Sequence, residues 1–156
     1  MSHGYNGSHA DWVNEGQYYS EHGYVVYAYD FCGGSVNSRS SAIQMTITSE
    51  QEDLLAVFAF IRKMDHVDES NIVLFGGSQG GFVSSLAAAL LRDEVRALTM
   101  YYPALCIPEN WREKYPDPGY APETFGFWGF ELSRRFVEDV HPLMFTGELG
   151  TIREMC

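Results

Sequence analysis

Residues 71–91 read Asn-Ile-Val-Leu-Phe-Gly-Gly-Ser-Gln-Gly-Gly-Phe-Val-Ser-Ser-Leu-Ala-Ala-Ala-Leu-Leu, and the fold turns on how they are read. Residues 72–75 are a short unbroken apolar run, the pattern of a strand buried on both faces. Residues 81–91 are apolar almost all round, which suits a buried helix. Between them stands Gly76-Gly77-Ser78-Gln79-Gly80, a G-x-S-x-G turn. Strand, sharp turn and helix in that order make a nucleophile elbow, with Ser78 in strained backbone between the two elements. A side chain two residues to either side of the serine would collide with the turn, so Gly76 and Gly80 are the permissive residues. The helix begins directly after Ser78 and turns its free N–H groups and positive dipole end toward any anion formed there. The backbone N–H of Gln79 is a natural oxyanion donor. The competing reading is a glycine-rich turn with an ordinary serine; the strand before and the small-residue helix after favour the elbow.

The chain has 156 residues, enough for one domain and one core. At 46% hydrophobic and 15% aromatic it is globular rather than disordered. A net charge of -11 argues against nucleic acid and anionic membrane surfaces as partners. Cys32, Cys106 and Cys156 match no metal-ligand spacing and form no C-x-x-C pair, so no metal and no cofactor is expected. Cys32 and Cys106 read as packed rather than reactive. The first residues lack the basic and apolar regions of a signal peptide, and no apolar run approaches the roughly 18 residues of a membrane span. A reduced, cytoplasmic protein is the default expectation, with a leader on a longer N-terminus still open. The sequence leaves the oligomeric state undetermined.

Taken in order, residues 3–8 form a loop. Residues 9–22 carry Trp12, Val13, Tyr18 and Tyr19 among polar residues and suit a surface helix ending at Gly23. Residues 24–29, Tyr-Val-Val-Tyr-Ala-Tyr, are β-branched and aromatic and predict a strand. Residues 30–35 then form a loop at that strand's C-terminal end, where α/β proteins place their sites. After an irregular stretch, residues 49–52 read as a capping box, opening a helix whose inner face carries Leu54, Val57, Phe58, Ile61 and Met64. Residues 95–102 predict a further strand, stopped by Pro103. Residues 104–130 hold four prolines and many aromatic residues, and residues 131–140 suggest a short helix. The aromatic segment reads as a cap over a pocket, the alternative being a surface loop pinned by its own rings. Strands alternating with helices imply a mostly parallel sheet with helices on both faces.

The elbow, together with His3-Gly4-Tyr5-Asn6-Gly7, Tyr29-Asp30-Phe31-Cys32-Gly33-Gly34, Glu52-Asp53-Leu54-Leu55-Ala56-Val57 and Gly77-Ser78-Gln79-Gly80-Gly81-Phe82, resembles the α/β-hydrolase family. More narrowly it resembles the bacterial cinnamoyl (feruloyl) esterases and their relatives. The resemblance implies that Ser78 is the nucleophile and that the backbone N–H groups of Gln79 and Tyr5 form the oxyanion hole. It implies that Asp30 is structural. It makes residues 104–140 a small lid within a partial domain spanning 1–156, whose Trp111, Tyr120, Phe125, Phe127 and Trp128 would suit a planar phenolic acyl group.

The family pattern also exposes what is missing. Its acid and histidine follow the serine on later loops, expected beyond Cys156. The strand before His3 lies, in the family sheet, between the strands at 24–29 and 72–75, so a gap or exposed edges are expected there. The fold is thus expected to be incomplete at both ends, an internal part of a larger hydrolase. Of the five histidines only His141 follows Ser78; with Asp139 just two residues away it reads as structural rather than catalytic, while His3 reads as locally bonded and His9, His22 and His66 as peripheral. Asp93 and Asp117 are the other downstream aspartates. The parent enzyme is expected to be a serine carboxylic-ester hydrolase on a small-molecule ester, with hydroxycinnamates first among substrates and the 156-residue chain alone inactive. A serine peptidase, acylglycerol lipase or thioesterase would use the same scaffold. A non-catalytic binding protein or inert fragment is the reading from another class.

Overall fold

The computed structural model describes residues 1–144; Cys156 and the last residues of the expected 1–156 domain lie outside them. The elbow forms where the apolar pattern puts it. β1 (Val73–Gly77) runs into α3 (Ser78–Leu91), and β2 (Ala97–Tyr101) pairs with β1 in parallel, Val73 opposite Ala97 through Gly77 opposite Tyr101. Side chains alternate across the ladder. Gly76 faces α3, approaching Gly80 and Ser84. Phe75 and Gly77 face the opposite way, onto the indole of Trp12. Helical segments therefore cover both faces of this small sheet, as expected. Trp12 closes a short 3-10 turn, His9–Trp12, capped by Ser8 and Asp11, before α1 (Val13–Glu21). α1 itself buries no residue and is held by Trp12 and by the half-buried Tyr19, whose ring meets Phe75.

α2 (Ile47–Ile61) starts earlier than the expected capping box at 49–52. Thr46 is the cap; its hydroxyl accepts from the Ser49 N–H, while the Ser49 hydroxyl accepts from the Thr46 N–H. The shift by three residues follows from Ile47, which is fully buried and so belongs to the helix. It also turns Glu50 inward, onto the elbow helix. Met64 lies past the end of α2.

Residues 24–29 depart from their expected strand. They join no ladder; only Tyr29 makes an isolated bridge, to Ser2. Ser2 bridges Gly76 on its other side, also in parallel, donating its N–H to the Phe75 carbonyl at 2.8 Å and accepting from the Gly77 N–H at 3.2 Å. Beyond Ser2 the two segments separate around a cavity of about 570 Å³ lined by Tyr24, Val25, Val26, Tyr27, Val73 and Phe75 among others. This is the gap expected between the two, and it explains why Val73 is 40% exposed rather than buried on both faces. The expected inner face of α2, from Leu54 to Met64, looks into the same cavity.

The segment after β2 has more regular structure than its prolines suggest. It comprises α4 (Ile107–Lys114), a 3-10 turn at Pro118–Tyr120, and an antiparallel hairpin of β3 (Thr124–Phe127) and β4 (Phe130–Ser133), followed by α5 (Arg134–Val140). The helix expected over 131–140 thus begins at Arg134, because residues 130–133 pair with β3 instead. Trp128 and Gly129, with φ of 41° and 88°, form the two-residue turn with two left-handed residues that such hairpins favour. Trp12→Ala should lower the unfolding free energy by about 3–5 kcal/mol, the usual cost of emptying a buried aromatic site. Urea titration followed by far-UV circular dichroism measures it.

Candidate active site

Ser78 stands at the first residue of α3 with φ 50°, a left-handed conformation rare for a residue with a side chain. Three close approaches hold it there. A Cβ on Gly76 would lie 2.6 Å from the Gly80 carbonyl carbon and 2.7 Å from the Ser84 hydroxyl. A Cβ on Gly80 would strike the His3 carbonyl oxygen and come within 2.5 Å of that of Ser2. A Cβ on Gly4 would meet Ser78 Cβ at 3.1 Å and its Oγ at 3.7 Å. The loop carrying Tyr5 is therefore packed directly against the serine. Gln79 sits in the first turn of α3, whose N–H groups have no partner within the helix.

His3 is fully buried, with Nδ1 2.7 Å from the Gly4 carbonyl and Nε2 accepting from the Phe31 N–H at 3.0 Å. Burial holds its pKa below the ordinary histidine value. It is a neutral strut between the two loops. Asp30 binds the His9 N–H, the His9 ring and the Ser35 hydroxyl. Desolvation raises its pKa, but these donors outweigh it and hold the carboxyl at about 2. Its role in the geometry is to tie the 3-10 turn to residues 30–35. His141 Nε2 lies 3.2 Å from the Pro116 carbonyl, and Asp139 accepts from the Thr48 N–H, so these two neither pair with each other nor reach Ser78. Among the described residues Ser78 Oγ has no hydrogen-bonded histidine.

The Tyr5 loop is also held by the β3–β4 hairpin. The Tyr5 hydroxyl donates to the Phe127 carbonyl at 2.8 Å, and the Asn6 side-chain amide donates to that of Trp128 at 2.8 Å. The Tyr5 ring meets Phe127, Trp128 and Phe130. Of the other aromatic residues expected in a lid, Trp111 is buried and packs on Phe125, Phe127 and Phe136, as part of the core. Tyr120 and Trp128 are 82% and 76% exposed. Cys106 is half-buried and free, but Cys32 is exposed rather than packed, a departure from expectation; it sits on a surface loop. Partial burial and Asp53 hold its thiol pKa above the ordinary value. Among the described residues no cluster of three or more His, Cys, Asp and Glu could hold a metal, and no helix is long and apolar enough to cross a membrane. Sequence reasoning missed Glu50. It is 1% exposed and accepts from the Gln79 side-chain amide at 2.8 Å. A reading of 49–52 as a capping box assigns it no place on the inner face of the helix.

Residues 1–146 match a family model described as the alpha/beta hydrolase fold. Among solved structures, the chain is similar to Est1E from Butyrivibrio proteoclasticus with ferulic acid bound. That match has 29% identity and a TM-score of 0.76 over 92% of this chain and 59% of that one. A second structure of Est1E matches at 32% identity and a TM-score of 0.59, over 64% of this chain and 43% of that one. A monoacylglycerol lipase from Paleococcus ferrophilus, at 15% identity and a TM-score of 0.62 over 89% of this chain and 62% of that one, shares the fold. The chain thus spans less than two thirds of the length of these structures. No curated protein matches it.

Because the folded pKa of Asp30 is depressed, its contribution to stability is present above the unfolded value of 3.8 and fades as pH falls toward 2. Asp30→Asn should cost about 1–2 kcal/mol at pH 7 and flatten the acid side of the stability curve between those limits. Thermal melts from pH 2 to 7 provide the check.

Proposed function

The chain belongs to the α/β-hydrolase fold family, and on that premise we propose that its parent enzyme is a serine carboxylic-ester hydrolase working through an acyl-enzyme. The observation that carries the proposal is Ser78, held at φ 50° at the end of β1 and the start of α3, against the loop of Tyr5. In the reaction, Ser78 Oγ attacks the ester carbonyl carbon as its proton passes to a histidine base. The negative charge moves onto the carbonyl oxygen, where the N–H groups of Tyr5 and Gln79 receive it. Collapse expels the alcohol, which takes the proton from the imidazolium, and leaves the acyl group on Ser78. Water then releases the acid by the same steps in reverse roles. His3, His9, His22 and His141 are each hydrogen-bonded elsewhere, His66 lines the cavity at the sheet gap, and residues 145–156 contain no histidine, so the proposal assigns the base to a part of the enzyme outside these residues.

The substrate proposed is an ester of a planar aromatic acid such as a hydroxycinnamate. Two things support this. The Tyr5 loop is walled by Phe127, Trp128 and Phe130, and Phe125 lies in the adjoining strand, so aromatic surface adjoins the serine through that loop. Est1E, a similar structure, has ferulic acid bound. Trp111 and Tyr120 belong to the same lid, the first bracing it from the core and the second standing at its surface.

Ser78→Ala in the complete enzyme should cut kcat/KM on methyl ferulate by about 10⁴-fold or more while leaving the circular dichroism unchanged. Wild-type turnover by that variant would sink the proposal. Phe127→Ala should raise KM for methyl ferulate by about 10-fold and leave that for an acetyl ester within about twofold, since only the aromatic acyl group loses a contact. Equal effects on both esters would remove the hairpin from the acyl pocket.

A further inference from the structure

Glu50 is a carboxyl in the interior with no part in the acyl-transfer steps above. Its surroundings point it at one target. Oε2 accepts from Gln79 Nε2 at 2.8 Å, and Gln79 is itself only 3% exposed. On the other side the carboxyl is pressed against Gly34, where a Cβ would overlap Oε1 and approach Cδ at 3.1 Å. Met45, completely buried, closes the same pocket with its sulfur 3.9 Å from the Gln79 amide. Glu50 and Met45 thus both meet the side chain of the residue after the nucleophile, and Gly34 backs Glu50 from behind. A buried carboxyl is costly to fold around unless it is satisfied, and it would serve packing no better than a leucine.

We infer that Glu50 is a positioning residue for the oxyanion hole, acting through Gln79. Resting on the function proposed above, the inference deepens it. The backbone N–H of Gln79 has to aim at a developing oxyanion from strained backbone, and a fixed side chain fixes the peptide plane behind it. The protonation state belongs to the same design. Burial pushes the Glu50 carboxyl up to about 8, against the opposing hydrogen bond from Gln79 and with reinforcement from Asp53. Asp53 on its own helix, Tyr5 on the oxyanion loop and Tyr29 at the sheet gap are the titratable groups facing it. At neutral pH the group is an uncharged acceptor. When ionised it sets a negative charge one residue from the oxyanion, where charge of the same sign raises the barrier.

The test uses Glu50→Ala and Glu50→Gln in the complete enzyme, with Ser78→Ala beside them. Glu50→Ala should lower kcat by about 10–100-fold with KM within about twofold, because the loss is of transition-state geometry rather than of substrate contact. Glu50→Gln keeps an uncharged acceptor for Gln79 and should restore kcat at pH 7 to within about threefold of wild type. Wild-type kcat should fall above pH 8, and Glu50→Gln should abolish that fall. A folding readout separates position from packing. The raised carboxyl contributes a fall in wild-type stability as pH rises from 4.5 to 8, and Glu50→Gln should remove that contribution. Wild-type kcat in Glu50→Ala, or an unchanged alkaline fall in Glu50→Gln, overturns the inference while an inactive Ser78→Ala keeps the proposed function standing. Full activity in Ser78→Ala removes both.

Discussion

The close approach of three backbones at Gly76, Gly80 and Gly4 is the constraint on which the rest of the structure depends. The end of β1, the first turn of α3 and residues 2–4 come so near one another that a single methyl at position 80 would overlap the His3 carbonyl. Interiors are packed densely enough that such an overlap cannot be absorbed locally. The contact costs the chain conformational freedom, since glycine is the residue most disordered when unfolded. In return the serine is lifted out of the helix line, and the loop of Tyr5 is brought to its side. Everything catalytic in the proposed mechanism is an arrangement around that contact.

From that point the molecule is held outward in two directions. On the sheet side, Trp12 packs against Gly77 and, edge-on, against Phe75 on β1, and His3 bridges the Gly4 carbonyl to the Phe31 N–H. On the helix side, Glu50 fixes Gln79 from α2. The two proposed oxyanion donors, Tyr5 and Gln79, are therefore supported from opposite sides by elements distant in sequence. Positions of this kind depend on neighbours that no local pattern announces.

That difference explains what the amino-acid sequence disclosed. The elbow was legible because strand, turn and helix are consecutive and each has its own period. The open space beside β1 was legible from the family pattern, since residues 24–29 and 73–77 need something between them to form a continuous ladder. The cap of α2 was not, because Thr46 and Ser49 both suit a cap and only the burial of Ile47 decides between them. Glu50 was hidden by the same ambiguity. The hairpin of β3 and β4 was hidden by its turn: Trp-Gly is an unusual pair for two left-handed residues, and the alternation of Phe125, Phe127 with Glu131 and Ser133 is short. Asp30 was expected to be structural, and its three donors tie the 3-10 turn to residues 30–35.

The stitches from Tyr5 and Asn6 to the hairpin carbonyls carry one more meaning. They tie the hairpin and the Tyr5 loop into a single unit. A flap that swung open would drag Tyr5 from the serine and disassemble the site as it admitted substrate. Entry of the proposed ester is better served by rotation of exposed side chains such as Trp128 about their own bonds, on the nanosecond scale, than by a hinge. The doorway, in this architecture, opens without the wall moving.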